Sequence, residues 1–76
     1  MIFDDYIIEF VKYKWKISKK DKPFDKAEEI YQYVYNLSPE NLAKEMNYDK
    51  DNIDLLKKYT MNYLYDLMWK YYNNFQ

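Results

Sequence analysis

The residues whose types and spacing could do chemistry begin with a group of carboxylates. Asp49, Asp51 and Asp54 lie close enough together to suggest a calcium-binding loop. Such a loop needs an oxygen ligand at its fifth position and glycine at its sixth, where this chain has Ile53 and Asp54. We therefore expect Asp49 or Asp51 to cap the helix that follows. We expect no metal site and no cofactor.

The sequence also offers few residues suited to acid–base or nucleophilic catalysis. Glu28 and Glu29 are adjacent, so a helix would point them in different directions, and nothing in the pattern indicates the burial that raises the pKa of a catalytic carboxyl. Apart from tyrosine, the hydroxyl residues are Ser18, Ser38 and Thr60. The chain has no His or Cys, so none of these hydroxyls has a recognisable activating partner. We predict no catalytic residue.

Lysine is concentrated in one region of the sequence. Between Lys12 and Lys26 there are seven lysines and two acids, although the whole chain has a net charge of −1. Lysines beside Tyr13 and Trp15 could contact RNA, single-stranded DNA or an acidic protein surface. The alternative is an ordinary solvated connector. The candidate contacts are Lys12, Lys16, Lys19, Lys20 and Lys22.

Residues 42–59 have the look of a helix-turn-helix. Resemblance to DNA-binding helix-turn-helix proteins implies that the helix starting at Asp51 enters the major groove. That helix opens with Asp51 and Asp54, which would bring negative charge to the phosphates, and the chain contains no Arg. DNA binding therefore stays an alternative. The residues assigned to this motif are Leu42, Ala43 and Met46 in the first helix, 47–50 in the turn, and Ile53 and Leu56 in the second helix.

The elements that position these residues are all predicted to be helices. Residues 1–76 are enough for one domain, and without Cys its core must hold the fold unaided. We predict a compact all-α domain of four helices, one of them short, built around a long C-terminal helix. Ser38 and Pro39 form a strong helix start. The predicted ranges are about Asp4 or Asp5 to Ile17, Pro23–Leu37, Pro39 to Met46 or Asn47, and Asp51–Asn73.

The first helix is apolar over so wide an arc that we expect burial against more than one neighbour. Lys14 projects into that arc. We expect its amine to reach water past the helix end, the alternative being a cation presented inside a binding surface. The apolar residues of this helix are Phe3, Tyr6, Ile7, Ile8, Phe10, Val11, Tyr13, Trp15 and Ile17.

The C-terminal helix carries two apolar stripes, and only one of them can pack on the rest of the domain. The second stripe either packs against the first helix or stays exposed as a binding patch. The first stripe consists of Ile53, Leu56, Thr60, Tyr63, Leu64, Leu67 and Tyr71. The second stripe, our candidate partner-binding surface, consists of Met61, Tyr65, Met68, Trp69 and Tyr72.

These patterns predict a non-catalytic protein-binding module. No apolar run approaches the ~20 residues that span a bilayer, and the N-terminal segment has acids where a signal peptide is basic, so we expect a cytoplasmic protein. Residues favoured by A/T-rich codons are in excess, which suggests a low-GC bacterium or its phage. We expect a small inhibitor or adaptor that occupies a host protein or defence complex in the host cytoplasm, as anti-CRISPR proteins do. A homodimer and a nucleic-acid-binding protein are the alternatives.

Overall fold

A computed structural model describes residues 2–17 and 23–74. It confirms the predicted fold class, since these ranges form four helices and no strand. The helices are α1 (Ile2–Ile17), α2 (Pro23–Asn36), α3 (Pro39–Glu45) and α4 (Ile53–Asn74). Thus α1 begins earlier than predicted and α4 begins two residues later.

The central pair of helices is α2 and α4, which run antiparallel. The Phe24 ring, near the start of α2, lies 6.1 Å from the Tyr72 ring near the end of α4. The first stripe of α4 faces the core as predicted, and the Thr60 hydroxyl in its centre donates to the Leu56 carbonyl at 2.7 Å. Burial of this face therefore leaves no polar atom unpaired there. The buried residues of the pair are Ala27, Ile30, Val34, Leu56, Thr60 and Leu64.

The end of α2 is held by a lysine from α4. The Lys57 amine donates to the carbonyl oxygens of Tyr35, at 3.1 Å, and Leu37, at 2.6 Å. The last carbonyls of a helix have no partner within the helix and carry its partial negative charge, so a cation is favourable there. Lys57 thereby joins the start of α4 to the end of α2.

Short-range capping defines α3 at both ends. The Ser38 hydroxyl accepts from the Asn41 N–H at 3.2 Å, which confirms the predicted helix start. At the other end Asn47 has a φ of 55°, its N–H donates to the Lys44 carbonyl, and the next N–H donates to the Ala43 carbonyl. This is a Schellman motif with asparagine at the left-handed position, in a chain that has no glycine.

Tyr48, in the turn after α3, is a core residue that the sequence pattern did not indicate. Only 7% of it is exposed, and its ring lies 5.0 Å from Tyr6 and 5.8 Å from Phe3. Its hydroxyl donates to the Asp51 carbonyl at 2.6 Å. Burial, and then the nearby charge of Asp51, raise the pKa of Tyr48. Tyr48 therefore anchors the start of α1 to the turn.

The cap predicted for α4 is wrong. Asn52, with a φ of 65°, precedes the helix, and its carbonyl accepts the Leu56 N–H at 3.0 Å. Neither Asp49 nor Asp51 takes that position. The helix thus starts at Ile53, two residues later than predicted, after a turn in which Tyr48 is buried.

The helix α1 packs against both α2 and α4, as its wide apolar arc predicted, although its buried residues lie on one side of it. Phe3, Ile7, Phe10 and Val11 are buried, and Tyr6, Ile8 and Trp15 are partly buried. Tyr13 and Ile17 remain 61% and 54% exposed. Within the described ranges no helix has both the length and the apolar character needed to cross a bilayer.

Replacing Lys57 with Met should lower the free energy of unfolding by about 1–2 kcal/mol, because two carbonyls at the end of α2 lose a charged donor while the aliphatic stem is kept. Urea unfolding followed by circular dichroism measures this loss. The matched control is Lys58→Met, at the exposed neighbouring position. Equal losses in the two variants would show that the tether does not stabilise the fold.

Candidate functional site

The candidate site is an aromatic face at the end of the α2–α4 pair. We use that name for Tyr65, Met68, Trp69 and Tyr72 of α4 together with Phe24 of α2, which line an open cleft of about 310 Å³. Tyr65 and Trp69 are each 50% exposed, and Tyr72 is 45% exposed. These three large side chains keep about half of their surface in water although they are contiguous.

Helical spacing explains the position of the aromatic face. Residues three and four apart lie on one side of a helix, so the α4 members of the face follow one another along about 10 Å of its length. Leu64, which is fully buried, points about 100° around the helix from Tyr65, toward the core. The core thus fixes the rotation of α4 about its axis, and this rotation turns the aromatic face toward solvent.

Ring contacts order the exposed side chains. The Trp69 ring lies 6.3 Å from Tyr65 at an interplanar angle of 67°, and 5.9 Å from Tyr72 at 90°. These are edge-to-face arrangements, which contribute about 0.5–1.5 kcal/mol per pair. Phe24 supports the outer side of Tyr72. The face is therefore a row of rings that contact and orient one another, and not a set of independent side chains.

Four of the five residues of the predicted second stripe come together in this face. The fifth, Met61, is partly buried against the core and lies in a neighbouring groove with Tyr31 and Lys58, which meets the aromatic face at Tyr65. The helix that borders the face is α2 and not α1. Phe24 was missed by the sequence reasoning; its spacing of seven residues from Tyr31 is the signal that could have placed it on this side of α2.

Only two of the five predicted lysine contacts belong to the residues that the structure describes. Lys12 and Lys16 are exposed on α1. Lys19, Lys20 and Lys22 lie outside the described residues. The structure therefore places two of the five predicted contacts on one helix surface.

The helix-turn-helix assignment is correct in its buried residues and wrong in its turn. Leu42, Ala43, Met46 and Leu56 are buried, and Ile53 is half-buried. The connection between α3 and α4 spans residues 46–52, which is longer than the three or four residues of the DNA-binding motif. The exposed residues at the start of α4 include Asp51 and Asp54.

Lys14 is engaged inside the domain. Its amine lies 3.2 Å from a Glu45 carboxylate oxygen and 4.2 Å from the centre of the Tyr33 ring. The Tyr33 hydroxyl donates to the other Glu45 oxygen. These three residues tie α1, α2 and α3 together, so Lys14 is neither directed simply to water nor presented as an unpaired cation, the two outcomes expected from the sequence.

This cluster shifts two pKa values upward. Partial burial opposes the charge on the Lys14 amine, but the hydrogen bond to Glu45 and the negative charge of that carboxylate outweigh it and raise the pKa of Lys14. The hydrogen bond to Glu45 is also the main cause that raises the pKa of Tyr33. Both groups therefore keep their protons more firmly in the folded protein than in the unfolded chain.

Searches for similar proteins do not assign the site. Comparisons with protein-family models, with characterised proteins and with solved structures find no match to this chain. Across the described part of the chain, no three acidic side chains gather closely enough to hold a metal ion. The geometry of the aromatic face is thus the basis for any functional proposal.

Trp69→Ala should lower the free energy of unfolding by about 1–2 kcal/mol, because the side chain is half in water and contributes mainly its two ring contacts. Trp15→Ala is the matched substitution. Trp15 packs against the core and lies 5.5 Å from Tyr71, so its loss should cost about 3 kcal/mol or more. Chemical unfolding of both variants measures the difference. If Trp69→Ala lost more stability than Trp15→Ala, Trp69 would belong to the core and not to an exposed face.

The stability of the wild-type protein should fall at high pH more steeply than that of Glu45→Gln. A group whose pKa is raised by folding stabilises the folded state below its unfolded pKa, and this contribution disappears as pH rises through the folded value. For Tyr33 and Lys14 this window begins near the ordinary values of 10.0 and 10.5. Urea unfolding at pH 9 and at about pH 11.5 tests it. Parallel pH dependence in the two proteins would contradict the role given to Glu45.

Proposed function

We propose that this protein is a non-catalytic binding module that docks a partner protein on the aromatic face. The observation that carries the proposal is the exposure of Tyr65, Trp69 and Tyr72, which lie side by side and are about half in water. Leaving a contiguous row of large aromatic rings in contact with water is unfavourable, and such exposed patches commonly mark surfaces that a partner covers. Covering it removes water from both surfaces and stabilises the complex.

The size of the face fits a docking surface. A fully buried Tyr or Trp hides roughly 150–250 Å², so three half-exposed rings offer about 300 Å² of contiguous surface. Patches of about 300–600 Å² on small proteins are often functional. Tyr, Trp and Met are also the residue types enriched at the centres of interfaces, with Trp and Tyr prominent among the energetically dominant contacts.

The charges near the face favour a protein partner over nucleic acid. On α4 the exposed neighbours of the rings include Asn62, Asp66 and Lys70, which carry no net charge together. A surface that binds single-stranded nucleic acid combines aromatic rings with a positively charged groove. The groove that meets the rings at Tyr65 holds Lys58 together with the acid Asp54, and its other lysine, Lys57, donates to the end of α2. Lys12 and Lys16 lie on a different helix.

A narrower proposal concerns the kind of partner. The small size of the chain and its A/T-rich composition suit a phage or mobile element of a low-GC bacterium. Proteins of that kind often act by occupying a host enzyme or defence complex, as anti-CRISPR proteins do. On this proposal the partner is a host protein with an apolar recess, and Trp69 is the central anchor.

Affinity capture from a lysate of the source cell tests the proposed function. The wild-type protein should retain a partner that is lost with Trp69→Ala and with Tyr65→Ala, because each substitution removes a ring from the centre of the face. The matched control is Tyr13→Ala, which removes a more exposed ring from α1. Circular dichroism shows that every variant is folded.

Two results would contradict the proposal. Retention of the same partner by Trp69→Ala and Tyr65→Ala would place the interface elsewhere. Loss of the partner with Tyr13→Ala alone would assign binding to the exposed side of α1.

A further inference from the structure

We propose that the partner docks as an α-helix in a groove that runs along α2 and α4, and that the aromatic face forms one end of this groove. The inference rests on the proposed function, because it names the kind of segment that the partner presents to the same surface. It commits to an amphipathic helix of a different protein, with the apolar side of that helix in the groove.

The groove is longer than the aromatic face. The cleft of that face and the neighbouring groove share Tyr65, so the two form one continuous surface, which we call the outer groove. It extends along α4 from Asp54 to Tyr72, a distance of about 27 Å. On the α2 side it is bordered by Tyr31 and Phe24. A second helix of about 18 residues would span its full length.

The spacing of the side chains in the outer groove favours a helix as the occupant. Its principal members on α4 alternate at intervals of four and three residues, which keeps them within about 80° of one another around the helix. Such a row is the seam along which a second helix packs at about 20°. The first two members are charged, and the other four are methionine or tyrosine. They are Asp54, Lys58, Met61, Tyr65, Met68 and Tyr72.

Another side of the α2–α4 pair already packs a helix of this chain. The Trp15 ring of α1 lies 5.5 Å from the Tyr71 ring of α4. The Lys14 amine of α1 lies 4.2 Å from the centre of the Tyr33 ring of α2. Tyr33 is about 160° around α2 from Tyr31, which borders the outer groove. The outer groove therefore lies on a different side of the pair from α1, and it is the side whose rings stay half in water.

Backbone hydrogen bonding favours a helix over an extended segment. The described residues form helices and no strand, so within them no strand edge can pair with an extended peptide. The N–H and C=O groups of such a peptide would lose water in the groove without gaining partners, which costs about 1–3 kcal/mol for each group. A helix bonds these groups internally and brings only side chains to the groove.

The area of the aromatic face indicates that the partner also covers the rest of the outer groove. Three half-exposed rings offer about 300 Å², whereas a standard interface buries about 800 Å² on each partner. Met61 and Tyr31 are partly buried, and they extend the apolar surface toward Lys58. A helix that lies along the whole groove covers these residues together with the rings.

The charges at one end of the outer groove define the polar part of the docked helix. Asp54 and Lys58 are exposed, and within the described part of the chain neither takes part in an ion pair or hydrogen bond. A complementary helix places charged residues against these two and apolar residues against the row from Met61 to Tyr72. Its apolar residues therefore repeat at intervals of three and four over about three turns, with a charged turn beside them.

Selection from a phage-displayed library of random linear peptides, each of about 20 residues, tests the inference with a defined probe. Enriched peptides should show the apolar repeat of three and four, and a synthetic copy should gain helical circular dichroism on binding. Its affinity should be unchanged by Tyr13→Ala and about tenfold weaker or more with Trp69→Ala. Enriched peptides in which apolar and polar residues alternate, or the absence of any peptide that depends on Trp69, would overturn the inference.

Photocrosslinking of a selected peptide measures its conformation in the groove. p-Benzoylphenylalanine in place of Lys58 and, in a second variant, in place of Tyr72 puts the reactive groups about 21 Å apart. A docked helix should react at two positions about 14 residues apart, whereas an extended segment would react at positions about 6 residues apart. The same group in place of Lys12, which is exposed on α1, is the control and should not react. A separation near 6 residues, or no reaction from the Lys58 position, would contradict helical docking.

Failure of this inference is distinguishable from failure of the proposed function. A protein captured from lysate through Trp69 that crosslinks from the Tyr72 position alone would overturn the inference and leave the proposed function standing. Selected peptides that dock as helices, with no protein captured from lysate, would support the helix-binding groove and overturn the docking of a cellular partner. Crosslinks between two copies of this chain in the absence of peptide would assign the groove to self-association and overturn the inference.

Discussion

The structure depends on the packing of one face of α4 against α2. Leu56, Thr60 and Leu64 are fully buried on that face, opposite Ala27 and Val34. Because α4 is a rigid helix of 22 residues, about 33 Å long, burial of one side fixes the direction of every other side chain along it. The exposed aromatic face is a geometrical consequence of this core. The same contact that stabilises the domain also presents the rings to solvent.

Polar contacts between residues far apart in the sequence join the helices to one another. Lys57 joins the start of α4 to the end of α2, and Lys14 and Glu45 link α1 to α3. A chain without glycine or cysteine has neither the usual helix terminator nor a covalent staple. Asn47 supplies the left-handed residue after α3, and Lys57 supplies donors for the last carbonyls of α2.

Helix periodicity was enough to predict the fold class, the four helices and the buried stripe of α4, because these features depend on local spacing. Tyr48 could not be predicted, since its burial depends on the direction of a turn set by Asn47. The pairing of Lys14 with Glu45 joins residues far apart in sequence, so no local pattern reveals it. Most of the aromatic face was predicted, but its exposure was not decided by the sequence. That outcome depended on whether α1 covered it, and the side of α1 that carries Tyr13 is instead in water.

The most direct test of this account is the quenching of Trp69 fluorescence by acrylamide in a Trp15→Phe variant, in which Trp69 is the only tryptophan. At low micromolar concentration the account predicts a red-shifted emission and efficient quenching, because half of the side chain is in water. Quenching should decrease when a partner protein covers the face. A blue-shifted, poorly quenched Trp69 in the dilute monomer would show that the chain itself seals this surface, and would contradict the account.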